Sequence, residues 1–164
     1  MAPIDGVPEG SGWAVRAGSG LAVELPGPHE LQVLLRGGDV DGAIGVFLFT
    51  HAVITENPPH AHSGYMKIIY VLDGRYSVRV GESTFDASRG DLVVVPRGVE
   101  HTFTTDTGGR MLFVCSPSGN EEYFIARAEL GADARAEDID RLDERFANVG
   151  PVSLRGSGQD GPAD

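Results

Sequence analysis

Several features that mark broad classes of protein are scarce or absent in this chain. Its 164 residues include one cysteine, Cys115, in an apolar run, which excludes a framework of disulfide bonds. No apolar run is long enough to cross a bilayer, and no charged-then-apolar signal pattern opens the sequence. The net charge of −11 argues against nucleic acid as a partner and provides no basic face for a membrane. We therefore expect a soluble, cytoplasmic protein.

Lysine is almost absent as well. Of the 13 basic residues all but Lys67 are arginine. A chain that uses arginine everywhere else could have used it here too. The exception indicates that this position requires an amine rather than any positive charge.

Short apolar or alternating runs, separated by turn residues, are what the chain does contain. A series of short strands with turns between them, including one at Asp73-Gly74, predicts a β-sandwich or barrel. Alternation along the strands places Lys67, Ile69 and Val71 on one face. The predicted strands are residues 21–25, 31–35, 45–54, 66–72, 76–80, 83–85, 92–95, 102–104 and 111–116.

The pattern changes after residue 117. Residues 120–131 predict a helix with carboxylates in its first turn and a glycine at its end. Asp133 is the predicted cap of a second helix, which Gly150 would end. Its apolar residues are Ile139, Leu142 and Phe146.

These patterns divide the chain into three parts. Residues 1–20 predict a flexible arm, and residues 155–164 predict a disordered tail rich in Gly, Ser and Asp. Between them, residues 21–154 form one predicted domain that includes helices over about residues 120–149.

Three histidines have the spacing of a metal site. His60 and His62 lie two residues apart on an extended segment, so their side chains share one side. His101 follows a later strand, just after the turn Pro96-Arg97-Gly98. Imidazole suits several transition metals, so we expect one divalent ion that could be Fe, Ni, Mn, Cu or Zn.

The same residues carry two motifs that resemble those of the cupin superfamily. The family patterns are G-x5-H-x-H-x3/4-E-x6-G and G-x5-P-x-G-x2-H-x3-N, and the spacing matches from His60 to Gly74 and from Gly90 to Thr105. The opening glycine is absent, Lys67 replaces the glutamate, and Thr105 replaces the asparagine.

The resemblance is to small quercetin-dioxygenase-like and polyketide-tailoring cupins. It implies an all-β fold, the double-stranded β-helix or jelly-roll barrel, with a short C-terminal helical segment. It also implies His60, His62 and His101 as metal ligands, and a homodimer in which N-terminal strands pair across subunits.

Lys67 leaves three arrangements open, because an ammonium beside a divalent ion is strongly unfavourable. The amine could swing away and leave a three-histidine site with open positions. It could lose its proton, or the metal could be absent and the lysine could supply the charge instead. Glu56 could replace the missing carboxylate if its loop folds back, whereas Glu100 should point to the opposite face from His101.

Two further features stay open at this level. His51 could line the pocket or could be a structural residue at a strand end. A set of apolar residues could form either a pocket wall or ordinary barrel core: Phe47, Phe49, Tyr65, Phe103, Met111 and Phe113.

Three functions fit these residues. The first is a metal-dependent, dioxygenase-like enzyme for a small aromatic substrate, in which Lys67 stabilises developing negative charge. The second is a non-redox cyclase or isomerase, in which a histidine such as His101 moves protons. The third is a barrel that binds a small molecule without catalysis.

Overall fold

A computed structural model describes residues 12–24, 29–54, 57–131, 133–146 and 148–149 of the chain. Ten β-strands and two α-helices are present in these ranges. The strands are β1 (Leu21–Glu24), β2 (His29–Leu35), β3 (Gly45–His51), β4 (Ala61–His62), β5 (Met66–Val80), β6 (Ser83–Ser88), β7 (Leu92–Val95), β8 (His101–Thr104), β9 (Gly109–Ser116) and β10 (Asn148–Val149). The helices are α1 (Asn120–Glu129) and α2 (Ala136–Arg145).

The strands form the two halves of a jelly-roll barrel. One half has the antiparallel order β1-β2-β3-β9-β5, with β7 on the other side of β5. The other half consists of the second part of β5 with β6 and β8 on either side. The predicted all-β fold with a short C-terminal helical segment is confirmed.

Strand β5 belongs to both halves, and the predicted turn at Asp73-Gly74 is therefore wrong. The pairing with β9 shifts register between Val71 and Asp73, as in a β-bulge. Gly74 has a φ of 91°, and a Cβ there would lie 2.3 Å from the carbonyl oxygen of Gly108. A bulge with a glycine at this close approach lets one strand continue from one half into the other.

Alternation along the strands selects the side chains of the core. Lys67, Ile69 and Val71 are all buried, as their shared face predicts. Burial of these apolar inner faces is the main favourable term for a barrel of this kind. The core comprises Val23, Leu31, Val33, Phe47, Tyr65, Ile69, Val71, Tyr76, Val78, Ala87, Val93, Val95, Phe103, Met111, Phe113 and Cys115.

The C-terminal segment requires two corrections. Asp133 does not cap α2, which begins after Arg135, and the Arg135 guanidinium donates to Asp138 in the first turn at 2.9 Å. Residues 148–149 are not helical, because they form β10 and pair with β4. The predicted helix end at Gly150, most of the predicted arm (residues 1–11) and all of the predicted tail lie outside the described residues.

A buried carboxylate fastens α1 to the barrel. Glu121 is fully buried and accepts hydrogen bonds from the backbone N–H groups of Gly37 and Gly119, each at 2.9 Å. A Cβ at Gly45 would collide with the same carboxylate, so a larger residue there would displace Glu121 from this position. These contacts hold α1 against the open end of the barrel. No helix in the described ranges is long and apolar enough to cross a membrane.

Candidate metal centre

The backbone brings the three predicted ligands together. His60 and His101 form an antiparallel bridge, in which each N–H donates to the other's carbonyl, at 3.1 and 2.9 Å. The N–H of Gly98 donates to the His62 carbonyl at 2.8 Å. Gly98 has a φ of 72°, which the Pro96–Gly98 turn requires. The turn therefore fixes His101 beside the His60–His62 pair.

The three imidazoles converge inside the barrel. One ring nitrogen of each of His60, His62 and His101 lies within 4.8 Å of those of the other two. The Nδ1–H of His60 donates to the Pro58 carbonyl at 3.0 Å, and the Nδ1–H of His101 donates to the Val99 carbonyl at 3.2 Å. These bonds leave Nε2 of both rings as a lone-pair donor.

Burial keeps His60 and His101 neutral. Desolvation, followed by the charge of Lys67, lowers the pKa of His60 to about 4. The same two causes, with His60 as a further one, lower the pKa of His101 to about 3. A neutral imidazole is the form that binds a metal.

Lys67 lies inside the barrel, as its strand face predicts. It pairs with Val95 on one side and with Cys115 on the other, and its side chain is only 6% exposed. Its ammonium lies 5.1 Å from the centre of the Phe113 ring, a cation–π distance. Burial lowers the pKa of Lys67 to about 8. The amine therefore lies inside the barrel against Phe113, and the arrangement it takes beside a metal stays a prediction.

A cavity of about 430 Å³ opens beside these residues. His60, His62 and Lys67 line it, and half of the remaining lining residues are aromatic. That size and composition suit a small organic ligand. The aromatic lining residues are Phe47, Phe49, Phe103, Phe113, Tyr123 and Phe124.

Known proteins match this arrangement. Residues 47–117, which include all three histidines, match the family profile described as a Cupin domain. An uncharacterized protein of Streptomyces coelicolor is 32% identical over 76 residues, which cover 46% of this chain and 70% of the relative. The chain belongs to the cupin superfamily.

Solved cupin structures share its fold. An RmlC-like cupin from Shewanella frigidimarina aligns with a TM-score of 0.58 and 21% identity, over 68% of this chain and 96% of that one. The polyketide cyclase RemF from Streptomyces resistomycificus aligns with a TM-score of 0.55 and 22% identity, over 66% and 81%. At these identities the likeness establishes the fold alone.

The residues of this cupin fit a metal ion. The buried Nε2 atom of His101 has no hydrogen-bond partner among the described residues, which is costly unless a ligand or ion occupies its lone pair. Three neutral nitrogen donors suit a divalent transition metal. Within the described ranges no carboxylate joins the cluster. Glu56 lies outside these ranges, so its predicted alternative role stays a prediction.

Four other predicted residues do not line the cavity. Glu100 forms an ion pair with Arg79 at 3.0 Å, which agrees with its expected position on the opposite face. His51 does not line the cavity, and its ring contacts Tyr76 instead. Among the apolar candidates, Met111 belongs to the core alone, whereas Tyr65 stacks on the His62 ring with the ring centres 4.6 Å apart.

The sequence patterns missed the contribution of the helices. Asn120, Tyr123 and Phe124 from α1 and Asp143 from α2 all line the cavity. Carboxylates and aromatics at a helix start are typical of ordinary surface helices. The only available signal was the apolar pair Tyr123-Phe124, which a solvent-facing first turn would not require.

Proposed function

We propose that this cupin is a metal-dependent enzyme that acts on a small aromatic substrate by dioxygenase-like oxidative chemistry. The observation that carries the proposal is a single aromatic-walled cavity lined by histidines of a converging three-imidazole cluster and by a buried lysine. An aromatic wall favours a flat, apolar ligand, and the lysine favours one with an anionic oxygen.

The proposed roles follow from the histidine cluster and from the cavity that His60, His62 and Lys67 line. His60, His62 and His101 would hold one divalent ion, which supplies Lewis acidity and a place for oxygen when bound. Lys67 would donate from its ammonium to a phenolate or enolate oxygen of the substrate. We assign His101 as a ligand rather than as a proton carrier because its unpaired Nε2 belongs to the converging cluster.

A non-redox cyclase or isomerase is the second candidate, and the charge of the site favours it. Three neutral ligands leave the full charge of the ion, and Lys67 adds another positive charge. This combination strongly polarises a carbonyl group and stabilises its enolate. The similarity in fold to a polyketide cyclase is compatible with this chemistry.

Oxygen uptake distinguishes the two candidates. Metal-loaded protein would be screened against enolisable aromatic compounds in an oxygen-electrode cell and again under anaerobic conditions. Oxidative chemistry predicts oxygen consumption in step with product. Equal turnover without oxygen, with a product of unchanged mass, would reject the oxidative proposal in favour of the cyclase. Saturable binding without any product would indicate a binding protein.

We also propose that the chain forms a homodimer. The outer face of β5 and β7 exposes Met66, Tyr70, Leu92 and Val94, and Tyr70 lies opposite Leu92 in the ladder. Contiguous apolar patches are uncommon on monomers, and a second copy of the same sheet would cover this one. Sedimentation analysis of the wild type and of Leu92→Glu should show a dimer that dissociates in the variant. A monomeric wild type would contradict the proposal.

A further inference from the structure

A second buried polar group without a partner belongs to a residue of the cavity wall. Asn120 is 1% exposed and lines the cavity, and its Oδ1 has no hydrogen-bond partner among the described residues. Its Nδ2 lies 3.8 Å from Sγ of Cys115, a weak contact. A buried amide oxygen that stays unpaired is costly, so a buried asparagine at such a position requires an explanation.

The helix does not explain the asparagine. Asn120 is the first residue of α1 and makes no capping hydrogen bond, whereas Glu121 accepts from the N–H of Gly119, the residue before the helix. Glu121 also fastens the helix to the barrel through Gly37. An apolar residue would therefore serve the fold equally well at position 120.

Cys115 links Asn120 to Lys67. Cys115, which Asn120 contacts, is the direct cross-strand neighbour of Lys67 in the β5–β9 ladder. Both Asn120 and Lys67 line the same cavity. This wall therefore presents a charged donor and an unoccupied acceptor, with aromatic rings around them.

We propose that Asn120 and Lys67 together determine substrate specificity, with Lys67 binding an anionic oxygen and the Asn120 amide oxygen accepting a hydrogen bond from a hydroxyl or N–H group of the same molecule. The inference rests on the proposed function and deepens it by naming the substrate class, an aromatic anion that also carries a hydrogen-bond donor. A ligand without the donor would leave the Asn120 oxygen buried and unpaired, and the site would discriminate against it.

The test uses a matched pair of coloured phenols. Binding of 4-nitrocatechol and of 2-methoxy-4-nitrophenol, in which a methoxy group replaces the donor hydroxyl, would be titrated by absorbance with the full chain. EDTA is present, so chelation of a bound metal does not contribute. We expect wild type to prefer 4-nitrocatechol by about tenfold or more, since only this ligand satisfies the buried acceptor.

Asn120→Leu should abolish this preference and leave the ratio of the two dissociation constants close to one. Its midpoint of thermal unfolding should stay the same or rise, because an apolar side chain of similar size replaces an unsatisfied polar one. Asn120→Ala serves the same purpose if the leucine variant does not fold. Cys115→Ser is the matched control, because it keeps an acceptor for Nδ2 and should preserve the wild-type ratio.

Three results would overturn the inference. They are no saturable binding of 4-nitrocatechol to wild type, an unchanged ratio in the Asn120 variants, and a loss of preference in Cys115→Ser equal to that in Asn120→Leu. Metal content and turnover are measured separately and do not enter the ratio. Failure of the proposed enzymatic function therefore leaves this test intact, and the reverse also holds.

Discussion

His51 and the histidines of the cluster, in the same barrel, differ in the hydrogen bonds that their ring nitrogens form. His51 donates from Nδ1 to the Ala52 carbonyl at 2.9 Å, and its Nε2 lies 3.2 Å from the Tyr76 hydroxyl, which can donate to it. In the cluster, His60 and His101 also use Nδ1 on a backbone carbonyl. The buried Nε2 of His101, however, has no hydrogen-bond partner among the described residues, and one ring nitrogen of each cluster histidine lies within 4.8 Å of those of the other two.

The comparison teaches that burial alone does not identify a ligand. Burial lowers the pKa of His51 as well as those of His60 and His101. What differs is the Nε2 atom. In His51 it contacts the Tyr76 hydroxyl, whereas in His101 it has no hydrogen-bond partner among the described residues. A histidine with both ring nitrogens hydrogen-bonded inside the protein contributes to stability. A histidine with one ring nitrogen unpaired can bind an ion or a substrate.

The largest expected effect is a loss of bound metal that distinguishes the histidine cluster from His51. Replacing His60 and His62 together with alanine should lower bound metal by more than about tenfold, because one imidazole cannot hold the ion. Elemental analysis of purified protein measures this, and circular dichroism checks that the barrel is folded. His51→Ala is the matched control and should keep its metal. Equal metal content in the double variant and the wild type would contradict the ligand assignment.

The second effect concerns the charge beside the histidine cluster. Lys67→Glu should raise metal affinity by at least about tenfold, because it replaces a repelling cation with an anionic ligand. Lys67→Met removes the charge alone and should give a smaller gain. Competition with a chromogenic chelator measures both. Unchanged affinity in both variants would mean that the Lys67 charge is not felt at the cluster.

The same two variants separate binding from catalysis. If Lys67 stabilises an anionic substrate oxygen, kcat should fall in both variants even though metal affinity rises. Steady-state turnover at saturating metal is the measurement. Activity that holds or increases in Lys67→Glu would show that the lysine is a tolerated replacement for the family glutamate.

The smallest effects are expected at the His51–Tyr76 pair. Tyr76→Phe removes one buried hydrogen bond to His51 and should lower the free energy of unfolding by about 1 kcal/mol. His51→Ala leaves the Tyr76 hydroxyl without its partner and should cost roughly 1–3 kcal/mol. Urea denaturation measures both. A change in bound metal in either variant would break the distinction between this pair and the histidine cluster.

Much of the barrel follows from local pattern. Alternation correctly placed Lys67 and Ile69 inside, because a strand covered on one face must repeat every two residues. The turn prediction at Asp73-Gly74 was wrong, because these two residues, which favour a turn, lie at a bulge within β5. The choice depends on the close approach of Gly108 from a distant strand, which local pattern does not contain.

The candidate site was predictable only in part. The spacing of His60, His62 and His101 can be read directly from the sequence, so the sequence was sufficient to place them together. Asn120 and Tyr123 have no such spacing, and their position over the cavity depends on how α1 docks through Glu121.

The sequence by itself determined the cupin barrel and its three histidines through two motifs that resemble those of the family, and it determined the inward lysine through strand alternation. Only the tertiary structure decided that the Tyr76 hydroxyl contacts Nε2 of His51, and that Asn120 lines the cavity with its Oδ1 unpaired among the described residues. Both results depend on contacts between elements distant in the chain. Whether a buried polar atom is satisfied is a property of its surroundings in space, and residue type alone does not specify it.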